Sequence, residues 1–597
     1  MSLLWWALIG FLAYWVGVSW LARSGYLPAS VRTQGPMLTI HTRRGRAFLD
    51  RLARHRRFWR AWGNVGIGIA IVIMLGMFLV VINTAIISML TPEPSAVAEP
   101  RNVLVIPGVN EFLPLSVAPE IVAGLLIGLV VHEGGHGLLC RVEDIEIESM
   151  GVALLAFVPI GAFVQPEESS ILRSDRGAQT RMFAAGVMNN FVITLVVFAL
   201  LFWLVATTIA VAPGAPVAGA LAGSAAADAG IEPGDRIVGV EGEEVEDADE
   251  LEAVLERTAD RDVDVTLADG SETTVYRANL VVAAVPDGPT GFDRGDRIAT
   301  VNEQAVYTQA DLRTAFAESP VATAATPGGQ ASTFPAGAYV QHVAPDGPLA
   351  TAADLGGEVE LVITAIDGER TVSQSDAFGV LGETEPGQSV TVEGFVLDGS
   401  IDEDAEPTEW TVELGEHDAG HGLLGVAMQP GITGMDVNDF GTQYFPSEQF
   451  YATLGGETDE APIFGLDGFF GKLFQAMVLP IASLLGMGLE QNFAGFTAHV
   501  TNFYEVQGTL APIASVVFVT ANVLFWTGWI NFNLGLFNCI PAFPLDGGHL
   551  LRASTESVIA RLPIENRYVA VKYVTVSVGV SMLLGLLLMV FGQGLLA

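Results

Sequence analysis

The sequence predicts a polytopic α-helical membrane protein with an inserted, extracytoplasmic β-rich region of α+β character. Three observations predict it. Half of the 597 residues are hydrophobic, yet acidic residues outnumber basic ones 67 to 28. The apolar residues are gathered into runs long enough to cross a bilayer, with the acidic ones mostly elsewhere. Between these runs lies a long acidic stretch with repeated turn and strand signals.

Taken in order, the apolar runs are Leu3 to Ala22, Val65 to Leu90, Ile121 to Cys140, Met182 to Val211, Ala511 to Ile540 and Val574 to Leu596. The first lacks a basic start and a small-residue cleavage site, so it reads as a retained span rather than a signal peptide. Arginines set the orientation. Ten of them, Arg23, Arg32, Arg43, Arg44, Arg46, Arg51, Arg54, Arg56, Arg57 and Arg60, lie between the first two runs, a loop expected in the cytoplasm. Arg141, Arg173, Arg176 and Arg181 follow the third run, and Arg552, Arg561, Arg567 and Lys572 precede the last. All three loops agree, which leaves the stretch from Pro213 to Pro462 outside. Phe464 to Leu489 is apolar but contains Asp467, Lys472 and Pro480. As a full crossing it would spoil the arginine pattern, so it reads as an interfacial or re-entrant helix.

Composition excludes some functions. Lysine occurs only at Lys472 and Lys572. An acidic, lysine-poor surface stays hydrated in high salt, as expected of a haloarchaeal protein. Such a surface repels nucleic acid, so none is expected as a partner. Cys140 and Cys539 cannot make a disulfide framework and read as small buried residues, although each stands near a candidate metal ligand. The arginines at 43 to 60 are expected to meet anionic lipid heads of the bilayer.

The acidic stretch repeats a short pattern. Pro233 to Gly242 reads as turn, strand and tight turn; Arg294 to Asn302 repeats it, and Leu361 to Gly368 keeps the strand and closing turn. Helical segments follow the first two copies at Asp247 to Arg257 and Thr308 to Ala317. The arrangement resembles PDZ domains, which implies grooves that accept extended peptide tails by strand addition. Two such modules are expected, with the middle copy a third or a divergent part of one.

The third apolar run contains His132-Glu133-Gly134-Gly135-His136. On a helix, residues four apart share a face, so His132 and His136 can bind one zinc ion while Glu133 reaches water beside it. Ionisable groups at membrane depth are costly unless they serve an interior site. A third ligand is expected from Asn538-Cys539-Ile540-Pro541-Ala542-Phe543-Pro544-Leu545-Asp546-Gly547-Gly548, where prolines break a helix and Asp546 can turn inward. Both segments run inward; His132 lies about 14 Å of helical rise before Arg141, so the two meet in the cytoplasmic half of the membrane. His417 and His421 mimic the spacing but sit in a polar, glycine-flanked loop.

With these motifs the chain resembles the site-2 protease family of intramembrane zinc metalloproteases. The matching pieces are the HExxH run, Asn538 to Gly547, the small-residue and asparagine segment Ala185 to Asn190, and the glycine-containing stretch Gly151 to Gln165, similar to the family's membrane-associated hairpin. The resemblance covers residues 110–211 and 464–597. It implies Zn2+ held by His132, His136 and Asp546, Glu133 as general base, and Asn538 and Asn189 as candidates to bind the substrate backbone or oxyanion. It also implies transmembrane protein substrates, held extended by strand addition near Ala162. The expected organisation is an N-terminal two-span addition (1–110), a first catalytic half (111–211), the PDZ-like modules (212–430), a linker with the interfacial helix (431–510) and a second catalytic half (511–597). The competing readings are a non-catalytic scaffold that binds peptide tails and a metal transporter. An intact Glu133 argues against the first, and the absence of repeated spans against the second.

Overall fold

The computed structural model describes residues 3–28, 30–90, 107–109, 113–155, 158–286, 288–355, 359–397, 405–417, 419–487, 492–497 and 499–596. They form two compact units, Met1–Ala210 with Glu448–Ala597, and Val211–Ser447.

The apolar runs are helical over most of their length, and Ile209–Val211 forms a short strand at the end of the fourth. The helices of ten or more residues in the first unit are α1 (Leu3–Arg23), α2 (Arg43–Leu52), α3 (Arg56–Leu90), α4 (Ala118–Val142), α5 (Arg176–Thr208), α6 (Gly468–Val478), α7 (Ala514–Asn538), α8 (Asp546–Ile559) and α9 (Arg567–Leu596). By length and apolarity α3, α4, α5, α7 and α9 suffice to cross a bilayer, which makes this a multi-pass membrane protein. Their outer faces expose large apolar side chains such as Leu79 and Trp203, which lipid solvates at no cost. At 11 residues α6 rises about 16 Å, roughly half of a hydrocarbon core, too short to cross by itself. Within the bundle α4, α5 and α7 pack on one another, and α3 lies along α5 and α9.

Several arginines at the helix ends form ion pairs. Glu143, just past the end of α4, is 3% exposed and receives Arg60 at 3.1 Å and Arg181 at 2.8 Å. Asp144 takes both guanidinium nitrogens of Arg56 at 2.6 Å, and Arg141 reaches Asp50 at 2.8 Å. These pairs tie α2, α3 and α5 to the end of α4.

The hairpin expected from the sequence is longer than Gly151 to Gln165. It consists of β3 (Ile147–Leu155) and β4 (Val158–Pro166), and residues 156 and 157 at its tip lie outside the described residues. A second hairpin, β1 (Val31–Gln34) and β2 (Met37–His41), comes from the arginine-rich loop and adds to β3, with Met37 opposite Leu155 and His41 opposite Gly151. The antiparallel order is β1-β2-β3-β4, so among the described residues no strand pairs the outer edge of β4.

The second unit contains three hydrophobic cores, each with one helix of nine or ten residues against β-sheet, the middle core having two sheets. The first sheet begins with β5 (Ala215–Ala220) and continues through Arg236–Val240, Asp262–Leu267 and Glu272–Tyr276, with helix Ala248–Arg257. The middle one begins with β6 (Asn279–Ala284) and the last with β7 (Ala338–Val343). Helices Gln309–Ala317 and Gln374–Gly382 occupy matching places. All three copies of the sequence repeat end in two consecutive positive-φ residues: Glu241 and Gly242, Asn302 and Glu303, Asp367 and Gly368. That pair of dihedral signs is the tight hairpin turn that twisted strands favour. Side-chain caps start the three helices at Asp247, Thr308 and Ser373. The third copy is therefore complete. His417 and His421 flank a short hairpin joining Gly415–Glu416 to Gly422–Leu423; Asp418 lies outside the described residues.

At each core one sheet is completed by a strand from the end of the unit. The returning chain passes the modules in reverse order: β8 (Val426–Met428) pairs β7, β9 (Met435–Asn438) pairs β6, and β10 (Thr442–Tyr444) pairs β5. Residues 431–447 thus belong to this unit, where the sequence suggested a linker, because they supply two strands and core side chains. Phe440, 1% exposed, packs in the first core and Met435 in the second. Between them the 2%-exposed side chain of Arg277 donates to Asp439 at 2.5 Å, and Asp439 also accepts from the Gln309 amide. Phe440→Ala should cost the first module about 4 kcal/mol through its cavity. Hydrogen exchange of the full-length protein checks this: Val263 and Val265 should exchange faster, and Ile363 in the third module should not.

Candidate metal centre

Helix α4 places His132 and His136 one turn apart on a single face, with Glu133 beside them. The third ligand arrives from a break in the chain. α7 ends at Asn538, the proline-containing segment 539–545 follows, and Asp546 opens α8. Gly547 is required there, since a Cβ would sit 2.3 Å from the Ile540 carbonyl oxygen.

The three side chains meet. His132 Nε2 and His136 Nε2 are 3.1 Å apart, and Asp546 Oδ2 lies 3.1 and 3.2 Å from them. Three vertices of a zinc tetrahedron, with bonds of roughly 2 Å, are spaced by about 3.3 Å, so the triangle fits zinc and leaves the fourth position for another ligand. Hydrogen bonding fits too. His136 Nδ1 is 2.8 Å from the Met182 carbonyl oxygen, an acceptor, so it carries the proton and turns the Nε2 lone pair inward. His132 Nδ1 is 3.2 Å from the Asn190 amide, which is fully buried with its Oδ1 unpartnered. Half a turn of that amide lets Oδ1 accept from Nδ1–H and frees Nε2 of His132 as a ligand. Two imidazole lone pairs and a carboxylate oxygen then converge, a set of donors that only a cation can satisfy.

Helix α5 crosses closely over these ligands. A Cβ on Gly186 would lie 2.6 Å from His136 Nε2, so glycine is the residue that leaves room. Glu133 is oriented from a different direction: its Oε2 accepts from the Val164 amide of β4 at 2.8 Å.

His132, Glu133, His136 and Asp546 are brought together; the two asparagines proposed from sequence are engaged elsewhere. Asn189 accepts from Trp62 Nε1 at 3.0 Å and donates to the Val131 carbonyl at 3.3 Å, joining α3, α5 and α4. Asn538 donates to Leu534 of its own helix at 2.9 Å. Sequence reasoning missed Asn190, and the only signal was the Asn-Asn pair, whose second member sits one helical step further round. His549 stacks on Phe183 at 4.2 Å. Both cysteines are buried, Cys140 against the Met182 sulfur.

Asn190→Leu should weaken zinc binding about tenfold or more, as loss of a partner that orients a ligand does, whereas Asn190→Asp should keep most of it. Competition of the purified protein against a chromophoric chelator reads both. Asp546→Ala, which removes a ligand, should lose stoichiometric zinc in the same titration.

Comparison with known proteins agrees with this geometry. The model of peptidase family M50 matches residues 120–586. An uncharacterized protein of Methanocaldococcus jannaschii is 28% identical over 170 residues, covering 28% of this chain and 43% of that protein. A protein of Mesorhizobium japonicum, named as a proposed zinc metalloprotease, is 41% identical over 191 residues, covering 25% of this chain and 51% of its own. The chain thus spans about half the length of these curated relatives. With the family match running over most of the chain and the three ligands converging, this protein belongs to peptidase family M50, the family to which its site-2 protease motifs point.

Proposed function

We propose that this chain is an intramembrane zinc metalloprotease that hydrolyses peptide bonds in or near transmembrane segments of membrane-anchored proteins. One observation carries the reading: three ligand atoms and a carboxylate base converge inside a bundle of membrane-crossing helices, beside a strand whose outer edge pairs with no other described strand. Zinc held by His132, His136 and Asp546 would supply Lewis acidity toward the scissile carbonyl and toward water, lowering the pKa of water toward about 7. Glu133 then does the proton work. Its Oε2 is held by the Val164 amide, which leaves Oε1 to take the proton of the attacking water and deliver it to the leaving amine.

A helical substrate must be unwound before its carbonyl can reach this place, and β4 offers the template. Groups facing one edge of a strand recur every second residue, so the backbone of Ala162 faces the same edge as the Val164 amide. A substrate strand added there lies next to Glu133. The bilayer is the second partner, met by the exposed apolar faces of α3, α5 and α9.

The arginine-rich loops support a cytoplasmic placement of the site and an extracytoplasmic insert. The three sheet-and-helix modules support the PDZ-like reading. Because the outer edges of β5, β6 and β7 are already paired, tails at these modules would add to the opposite edges, such as Glu272–Tyr276.

Glu133→Gln should reduce cleavage about 1,000-fold, the scale of a lost general base. The test co-expresses wild type or variant with a panel of tagged single-span proteins and scores fragments on a gel. Fragments from wild type alone, abolished by a zinc chelator, support the reading; equal cleavage by both enzymes refutes it.

A further inference from the structure

A groove of about 1280 Å³ runs over the four-stranded sheet of the membrane unit. Its floor includes Phe163 and Val164 of β4, and the Val164 amide is the group that holds Glu133. Its walls come from the N-terminal hairpin and the start of α2, segments that precede the family match at residue 120. They contribute Arg32, Arg44 and Arg46 together with His41, whereas Glu148 is the one carboxylate among the described lining residues.

Three arginines of this groove are without carboxylate partners, as Arg51, Arg54 and Arg57 nearby also are among the described residues. Arg56, Arg60, Arg141 and Arg181 are each neutralised by Asp or Glu. Among the described residues, Arg32, Arg44 and Arg46 form no ion pair, in a chain whose net charge is −39. Three such cations gathered at one groove, with a single carboxylate beside them, give it a positive potential that an external anion complements. The start of α2 adds its positive dipole end, capped by Thr42. His41, edge-on to Phe163, is held below its ordinary pKa by burial and by the Arg32 charge, which reports the same positive potential.

Resting on the protease reading, we propose that this groove selects substrates: it binds acidic side chains in the extended segment flanking the bond that is cut. Two observations favour a peptide over a lipid head. The groove reaches Val164, whose amide holds Glu133, so a peptide lying along it ends beside the base. The groove is also lined by Thr33, Thr39, Thr42 and Ser149, short polar side chains beside which a peptide backbone can lie. Substrate choice thereby lies with the N-terminal addition, and chemistry with the family core.

The test uses the full-length Glu133→Gln protein in nanodiscs, which keeps peptides intact. A fluorescent peptide with four Asp or Glu residues beside an apolar segment is compared with its Asn and Gln counterpart. Three part-exposed ion pairs should make the acidic peptide bind about tenfold tighter, a ratio that shrinks as salt rises. In the Arg32→Glu, Arg44→Glu, Arg46→Glu triple variant the ratio should fall to one or below. Equal binding of both peptides to the unreversed protein overturns the proposal. So does a preference that persists in the triple variant, or one that appears only when the nanodisc contains anionic lipid, which would assign the cations to headgroups. Wild-type cleavage of tagged substrates with the same two flanks is read in parallel. If neither is cut while the binding preference holds, the protease reading fails and the groove stands.

Discussion

Three lone pairs pointed at one another inside an apolar bundle form the constraint on which the catalytic unit is built. Left without a cation they repel, and a desolvated carboxylate alone costs several kcal/mol. Each nearby feature keeps the three in place. The Met182 carbonyl and the Asn190 amide settle which ring nitrogen of each histidine faces inward. Asp546 stands at the first position of α8, where the helix dipole favours a negative charge. Gly186 allows α5 to pass at a distance that any side chain would block. The ligand set is thus held jointly by the sequence of one helix, the break before another and the crossing of a third.

Charge is distributed on a similar plan. The arginines at the ends of the spans look like signals of orientation, and several also act as clamps. Glu143, almost fully covered, is held by arginines from α3 and α5, so it resists salt far better than an exposed pair such as Arg56 with Asp144. Burial keeps such a structural ion pair out of reach of the bulk ions that screen exposed ones.

What could be read from the sequence follows from the range of the forces involved. His132, Glu133 and His136 declare themselves because four-residue spacing on a helix is local geometry. Asp546 is legible because proline and glycine leave few ways to build a helix break. Asn190 was not legible in preference to Asn189: one residue turns a helix by about 100°, and the choice depends on how α5 crosses α4. The hairpin Val31–His41 was hidden because its arginines read as a loop, and its pairing with β3 lies more than a hundred residues away. The closing strands β8 to β10 are three or four residues long, too short for any periodic pattern to appear.

Those closing strands order the events of biosynthesis. A ribosome delivers β5 long before β10, so the first module to emerge is the last that can be sealed. Until residues 426–444 arrive, three sheets carry unpaired edges and cores lacking side chains such as Phe440, a state prone to aggregation. Closure then proceeds backward, third module to first. A chain cut short anywhere before this segment leaves none of the three finished, so the length of the insert is checked at its very end.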